Sequence, residues 1–122
     1  MTLLSAVDHA ASFAMVADGR ADAFATDDVL LYGLIAQNRA QSAYGVVGEL
    51  LSYEPYGVMF RKNDPQLAKL VETTFAERAA DGELERRYTR WFLQKLPSGV
   101  SLDLPMSPQL ETAVQAMAAR PE

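Results

Sequence analysis

Residues 8–28, DHAASFAMVADGRADAFATDD, decide which fold class the sequence favours. Asp8 is of a residue type that caps helices, and Phe13 and Val16 follow it at helical spacing. Gly19 suits the left-handed conformation that often ends a helix, because glycine lacks the Cβ atom that makes this conformation costly. The first half of the stretch therefore predicts a helix with a defined start and end.

The second half of the stretch predicts a short buried strand, Asp22–Thr26, followed by a helix that begins at Asp27 and Asp28. Two carboxylates at a helix start are favoured by the exposed N–H groups and by the helix dipole. Further strands are predicted at Tyr44–Leu50 and Tyr56–Arg61. Helices that alternate with strands in this way are typical of an α/β layer.

The C-terminal half predicts mainly helices. Asp64 followed by Pro65 indicates a helix start, because proline in the first turn loses no hydrogen bond. A second amphipathic helix follows, and Ser107 with Pro108 starts the last one. The apolar side of the second helix is predicted to carry Leu84, Tyr88, Trp91 and Phe92.

The composition argues against several classes of function. The 122 residues are 49% hydrophobic and 22% charged, which is ordinary for a globular domain. With 11 basic and 16 acidic residues the net charge is −5, which argues against nucleic acid as a partner. The chain has no cysteine, so thiolate zinc sites and cysteine nucleophiles are excluded. We expect neither a metal site nor a cofactor.

The first residues do not resemble an export signal. Met1–Leu4 contain no basic residue, and Asp8 and His9 interrupt the apolar stretch that follows. No later run of residues is long enough to span a bilayer. We therefore expect no signal peptide in this chain.

Three stretches taken together resemble one family. Besides residues 8–28 they are EPYGVMFRKNDP at residues 54–65 and DGELERRYTRWF at residues 81–92. Their order and spacing resemble the family 3 periplasmic solute-binding proteins of polar amino-acid ABC transporters, most closely the glutamate/aspartate-binding type. The resemblance implies the C-terminal part of such a protein. It also implies an α/β, partial type II periplasmic-binding-protein-like fold with three αβα layers, lacking most of lobe one and the start of lobe two.

The resemblance further implies how the chain is divided. Residues 1–54 correspond to the second half of lobe two, and residues 55–122 to the hinge-return strand and C-terminal helices of lobe one. The strands and surfaces that normally cover these segments would lie in the missing part. Three outcomes are therefore open, namely marginal stability, a rearranged compact fold, or self-association that buries the uncovered faces.

Asp27 and His9 are the candidate ligand-binding residues, and no catalytic residue is expected. Asp27 follows a predicted strand, where open α/β sheets place ligands, although the residues alone favour a plain helix cap. The resemblance implies that Asp27 pairs with the α-ammonium group of the ligand and that His9 contacts its side-chain carboxylate. The alternative for His9, the only histidine, is a partly exposed residue in a capping turn. Asp28 is expected to be the plain cap.

Other conspicuous residues are predicted to have structural roles. Asp8 is expected to cap its helix rather than to orient the neighbouring imidazole. Arg20 is expected to be solvated or ion-paired. Tyr56 and Gly57 match the hinge-return stretch of the resembled family, where a structural role is expected.

The aromatic residues of the second amphipathic helix allow one further reading. Together with the basic cluster defined below, these aromatic residues are compatible with a stacking platform that binds single-stranded nucleic acid or phosphate. Helical spacing and the acidic total favour core aromatics with a solvated basic edge instead. The basic cluster comprises Arg86, Arg87 and Arg90.

The resemblance implies a function in transport. The chain is expected to be the substrate-binding component, or a truncated remnant of one, of a periplasmic ABC transporter for acidic or polar amino acids such as glutamate or aspartate. An ABC transporter permease would be its protein partner. The family's lobe-one arginine, which holds the ligand's α-carboxylate, has no counterpart here, so weak or no binding is expected.

Two alternatives to the transport function are considered. One is an interaction or oligomerisation module built from the truncated lobe, which forms homo-oligomers and binds no ligand of its own. The other is an enzyme that uses His9 and Asp27 as an acid–base pair, as implied by dehydratases with this fold. The enzyme is disfavoured because no nucleophile-elbow or phosphate-loop motif is present.

Overall fold

The computed structural model describes residues 1–49 and 51–119. Its α-helices are α1 (His9–Ala17), α2 (Asp28–Gln37), α3 (Pro65–Ala80), α4 (Glu83–Tyr88) and α5 (Pro108–Ala118). A π-helical turn, the π segment (Thr89–Leu93), continues α4. None of the helices in the described ranges is long and apolar enough to cross a lipid bilayer.

Side-chain caps confirm three predicted helix starts. Asp8 and Asp64 each accept a hydrogen bond from the backbone N–H three residues later, at 2.7 Å and 3.0 Å. Ser107 accepts the corresponding bond at the start of α5, at 3.2 Å. These bonds satisfy N–H groups that have no partner within the helix, so the cap residues define where each helix begins.

The predicted end of α1 is also confirmed. Gly19 has a φ of 72°, in the left-handed region, and its N–H donates to the carbonyl of Val16 at 3.1 Å. The N–H of Arg20 donates to the carbonyl of Met15 at 2.8 Å. This pair of bonds is the Schellman arrangement, which satisfies the last carbonyls of the helix.

The predicted strands are wrong for the described part of the chain. Asp22–Thr26 and Tyr56–Arg61 contain no strand, and neither do residues 44–49 of the third prediction, whose last residue, Leu50, lies outside the described residues. A strand persists only when its N–H and C=O groups pair with a neighbouring strand. The described ranges offer no such neighbour, so the three-layer αβα arrangement is not formed there.

The core is small and lies mainly in the C-terminal half. α3 packs against α5 and α4 and contributes the buried Ala79, while α5 contributes Val114. Leu104, in the loop before α5, is also buried, and its N–H donates to the carbonyl of Phe92 at 3.1 Å. In the N-terminal half the buried residue of the core is Ala36 of α2.

The chain exposes more surface than a folded protein of its size. Its accessible area is 9841 Å² for a mass of 13.4 kDa. A folded monomer of that mass exposes about 6,500 Å². Large apolar side chains, among them Leu51, Tyr56 and Met59, contribute to the difference. Of the three outcomes expected from the sequence, a compact rearranged fold is therefore not formed.

Trp91 departs from the prediction for the second amphipathic helix. Tyr88 and Phe92 are half-buried and pack against each other with ring centroids 4.5 Å apart, whereas Trp91 is 54% exposed. The π segment explains the difference, because the Gln94 N–H bonds the Thr89 carbonyl five residues back. The wider turn rotates the side chains out of α-helical register.

We expect Gly19→Ala to destabilise the chain by about 1 kcal/mol, because an L-residue with a Cβ atom is disfavoured in the left-handed conformation. No heavy atom lies within 4 Å of the position that the added Cβ would take, so the cost is conformational and not steric. The loss of helical circular dichroism with urea measures the change. Gly45→Ala is the matched control, since Gly45 has equal space and is not among the positive-φ residues. Equal effects of the two changes would contradict the prediction.

A second expectation concerns Tyr88, whose hydroxyl donates to the carbonyl of Pro105 at 3.1 Å. Burial of the phenol, and then the nearby Asp28 and Tyr32, raise the pKa of Tyr88 above its ordinary value of 10.0. The folded chain therefore holds the phenolic proton more tightly than the unfolded chain. The resulting stabilisation is fully present below pH about 10 and is lost as the pH rises through the raised pKa.

We expect Tyr88→Phe to remove this alkaline loss of stability and to lower the melting temperature at neutral pH. Melts of helical circular dichroism between neutral and alkaline pH measure both effects. Tyr53→Phe, at an exposed tyrosine, serves as the control and should leave the pH profile unchanged. If the melting temperature of Tyr88→Phe falls with rising pH as steeply as that of the original chain, the expectation is wrong.

Candidate functional site

The structure brings His9 to the turn that precedes α2. The Nε2 atom of His9 lies 3.5 Å from the hydroxyl oxygen of Thr26, and its ring lies 6.0 Å from that of Phe24 at an angle of 41°. Thr26 directly precedes Asp27 in the chain. The start of α1 therefore contacts the residue directly before Asp27, which begins α2.

Asp27 occupies the N-cap position of α2 without capping it through its side chain. Its backbone carbonyl accepts hydrogen bonds from Leu30 and Leu31 at 3.1 Å each, which begins the helix. Its carboxylate accepts no capping bond within the described chain, and the residue is exposed. Asp27 is thus the N-cap residue of α2 but does not cap it through its carboxylate, and its expected contact with a ligand stays a prediction.

Asp28 differs from Asp27 in what its carboxylate does. Asp28 is the first residue of α2, is half-buried, and accepts a hydrogen bond from the N–H of Val29 at 2.6 Å. A carboxylate here also interacts favourably with the positive end of the helix dipole. The structure thus gives the helix-end role expected of Asp28, although the residue lies one position inside the helix.

Asp8 caps α1, as predicted, and this determines how His9 is presented. The Asp8 Oδ1 atom accepts from the N–H of Ala11 at 2.7 Å, and the Ser12 hydroxyl donates to the Asp8 carbonyl at 3.1 Å. His9 is then the first residue of α1, where the helix N-terminus favours anions. An imidazole N–H at this position is a suitable donor to a carboxylate.

The candidate site is open to solvent. His9 and Asp27 are both exposed. The groove of about 340 Å³ between α1 and α2 is lined by other residues, including Phe13 and Leu34. Because a charge-assisted hydrogen bond is much weaker in water than in an enclosed site, the arrangement as it stands provides contacts without enclosure.

Sequence reasoning missed Thr26 and Phe24 as parts of this site. Phe24 and Thr26 alternate with exposed residues on the stretch read as a strand, and both are half-buried beside His9. The sequence feature that could have pointed to Thr26 is its hydroxyl group directly before Asp27, at the end of the predicted strand. Its relation to His9, 17 positions earlier, is a tertiary contact that no local pattern contains.

The other singled-out residues lie apart from this site. Arg20 pairs with Asp18 at 2.9 Å, which confirms the ion-paired reading. Tyr56 and Gly57 are exposed, and their expected hinge role stays a prediction. Among the described residues no group of three or more potential metal ligands is present.

The basic cluster is largely occupied by ion pairs. Glu83 contacts Arg86 at 3.0 Å and Arg87 at 2.8 Å. Phe92 packs on Tyr88 instead of presenting a free stacking face. These contacts favour the expected solvated basic edge over a nucleic-acid platform, although Trp91 is more exposed than a core aromatic.

Comparison with known proteins identifies relatives along most of the chain. It is 40% identical over 115 residues to the L-glutamate/L-aspartate-binding protein of Pseudomonas aeruginosa. It is 36% identical over 117 residues to the glutamate/aspartate import solute-binding protein of Salmonella typhimurium, and 41% over 97 residues to that of Escherichia coli. This chain is homologous to part of the glutamate/aspartate-binding proteins. The resemblance found in residues 8–28, 54–65 and 81–92 is thereby confirmed.

The homology covers the chain but not the whole of its relatives. The matches span 93%, 95% and 80% of this chain, but only 38%, 39% and 32% of the three glutamate/aspartate-binding proteins. No family model matches the chain, and no solved structure matches it. The chain thus spans 32–39% of the length of these curated relatives.

Asp8 caps its helix through its side chain and Asp27 does not, so replacing them should affect stability differently. Asp8→Ala removes a side-chain cap and should cost about 1 kcal/mol. Asp27→Ala removes no such bond and should cost less than about 0.5 kcal/mol. Urea unfolding followed by helical circular dichroism measures both. A larger cost for Asp27→Ala than for Asp8→Ala would show that Asp27 serves the helix and not a ligand.

Proposed function

We propose that this chain carries the lobe-two ligand contacts of a periplasmic, ABC-transporter-linked binding protein for acidic amino acids, and that it is not an enzyme. The observation that supports this most directly is the contact of His9, at the start of α1, with Thr26, which directly precedes Asp27 at the N-cap of α2. The homology to glutamate/aspartate-binding proteins supports the ligand class.

Each contact has a definite chemical role in this proposal. The Asp27 carboxylate accepts a charge-assisted hydrogen bond from the α-ammonium group of the ligand. The His9 imidazole donates to the side-chain carboxylate, assisted by the positive N-terminus of α1. The Thr26 hydroxyl, 3.5 Å from Nε2, orients the ring. In the complete protein, closure of lobe one would supply the α-carboxylate contact, and a permease would receive the ligand.

The site in this chain lacks enclosure, so its affinity alone should be low. One or two exposed charge-assisted bonds contribute about 1.5–3 kcal/mol each, before the cost of immobilising the ligand. We therefore expect a dissociation constant for glutamate weaker than about 1 mM. A titration of the ¹⁵N-labelled chain followed by NMR measures it. Micromolar binding would contradict this expectation of an incomplete site.

The ligand contacts are best tested within a complete relative. The 115 residues that match in the Pseudomonas aeruginosa protein can be replaced by the corresponding residues of this chain. We expect the chimera to bind glutamate and aspartate in calorimetry. Asp27→Asn in the chimera should weaken binding by about tenfold or more, because it removes a charged hydrogen bond.

Asp28→Asn is the matched control in the chimera. Its carboxylate serves the N–H of Val29, so the change should leave glutamate affinity unaltered. His9→Gln should weaken glutamate more than glutamine, since glutamine has no side-chain carboxylate. A folded chimera that binds no acidic amino acid, or in which Asp27→Asn and Asp28→Asn act alike, would overturn the proposal.

A second candidate function, an interaction module without ligand binding of its own, is favoured by one observation. The chain exposes 9841 Å², well above the area of a folded monomer of its mass. Exposed large apolar side chains, among them Leu51, Tyr56 and Met59, contribute to this area, and exposed apolar patches are typical of proteins that associate. Light scattering across a concentration series distinguishes a monomer of 13.4 kDa from an oligomer.

A further inference from the structure

The His9 imidazole has one nitrogen with a partner and one without. Nε2 lies 3.5 Å from the hydroxyl oxygen of Thr26, which makes a long hydrogen bond. Nδ1 forms no hydrogen bond with the residues that the structure describes. Because the hydrogen bond at one ring nitrogen decides which nitrogen carries the proton, Thr26 bears on what Nδ1 offers to a ligand.

Neither of the neighbouring carboxylates holds the imidazole. The Asp8 carboxylate is engaged by the N–H of Ala11 at 2.7 Å. Within the described chain His9 forms no ion pair with Asp8 or with Asp27. The orientation of the ring therefore depends on Thr26 and on the packing around it.

Phe24 supplies that packing. The ring centroids of Phe24 and His9 lie 6.0 Å apart with an interplanar angle of 41°, which is within the range of interacting aromatic pairs. Phe24 and Thr26 are both half-buried, whereas Ala25 between them is exposed. One short segment thus directs both side chains to His9.

We propose that Thr26 and Phe24 are positioning residues that hold the His9 ring so that Nδ1, and not Nε2, donates to the side-chain carboxylate of the ligand. This inference rests on the proposed function, because it assigns an atom to the His9 contact. A carboxylate only accepts hydrogen bonds, so the nitrogen that contacts it must carry a proton. With the proton on Nδ1, the neutral ring has a lone pair on Nε2, and the Thr26 hydroxyl donates to it.

A hydroxyl at this position determines the tautomer. A neutral imidazole in water favours the tautomer with the proton on Nε2, which would turn a lone pair of Nδ1 toward the ligand carboxylate. Donation from Thr26 to Nε2 stabilises the opposite tautomer, in which Nδ1 is the donor. Thr26 thus acts on the ligand through His9 and needs no contact with the ligand itself.

The tautomer of the ligand-free chain tests the role of Thr26. His9 is the only histidine, so its nitrogen resonances are read without overlap by NMR of the chain labelled with ¹⁵N-histidine. With the ring neutral, we expect the proton on Nδ1 in the original chain. Thr26→Val replaces the hydroxyl by a methyl group of similar size and should shift the population toward Nε2–H. Thr26→Ser keeps a hydroxyl and should retain the original tautomer.

The same spectra test Phe24. Phe24→Leu keeps an apolar side chain but removes the ring, so the imidazole loses its aromatic neighbour and should sample more orientations away from Thr26. We expect a shift toward Nε2–H that is smaller than that of Thr26→Val, and Phe24→Tyr should reverse it. An unchanged tautomer in Phe24→Leu would show that Phe24 is not a positioning residue.

Glutamate binding by the chimera tests which nitrogen contacts the ligand. The side-chain amide of asparagine lies close to the place of Nδ1, whereas that of glutamine reaches the place of Nε2. His9→Asn should therefore bind glutamate more tightly than His9→Gln in calorimetry. Thr26→Val should weaken glutamate binding by roughly two- to tenfold, the contribution of one neutral hydrogen bond, and Thr26→Ser should restore it.

Three results would overturn the assignment of Nδ1. They are a proton on Nε2 in the original chain, a tautomer that Thr26→Val does not change, and tighter glutamate binding by His9→Gln than by His9→Asn. A chimera that binds no acidic amino acid would instead overturn the proposed function, and the ligand contact of His9 with it. The tautomer is measured without ligand, so the two failures are distinguishable.

Discussion

The structure of this chain is determined by one constraint, namely that a strand needs hydrogen bonds to a neighbouring strand. The described residues contain no such pairing. A helix satisfies its backbone groups internally and needs only caps at its ends, whereas a strand needs another strand. The helices therefore form where the sequence places them, and the segments with strand composition do not pair. The small core, the large exposed area and the open ligand site all follow from this division.

The elements that the sequence predicts correctly are those with local causes. Asp8, Asp64 and Ser107 cap helices through bonds that span three residues, and Gly19 ends α1 through its own conformational freedom. The strands were mispredicted because their stability is not local. Trp91 was misplaced for a related reason, since the π turn that rotates it has no signature in the hydrophobic spacing.

The candidate site shows the same division between local and distant causes. Asp27 could be found from its position before a helix, and the resemblance singled out His9. The contact of His9 with Thr26, which directly precedes Asp27, spans 17 residues, and only the three-dimensional structure provides it. The sequence could not indicate whether the site is enclosed. Excluding water from a charged contact requires surfaces that lie outside the described site.

The segment between α2 and α3 also determines where a protease would reach the described part of the chain first. Proteases cleave backbone that is exposed and free of hydrogen bonds, and Leu51–Phe60 meets both conditions. Cleavage there would separate α1 and α2 from α3, α4 and α5. One cut within residues 51–60 would therefore leave an N-terminal piece that carries the candidate site and a C-terminal piece that carries most of the core.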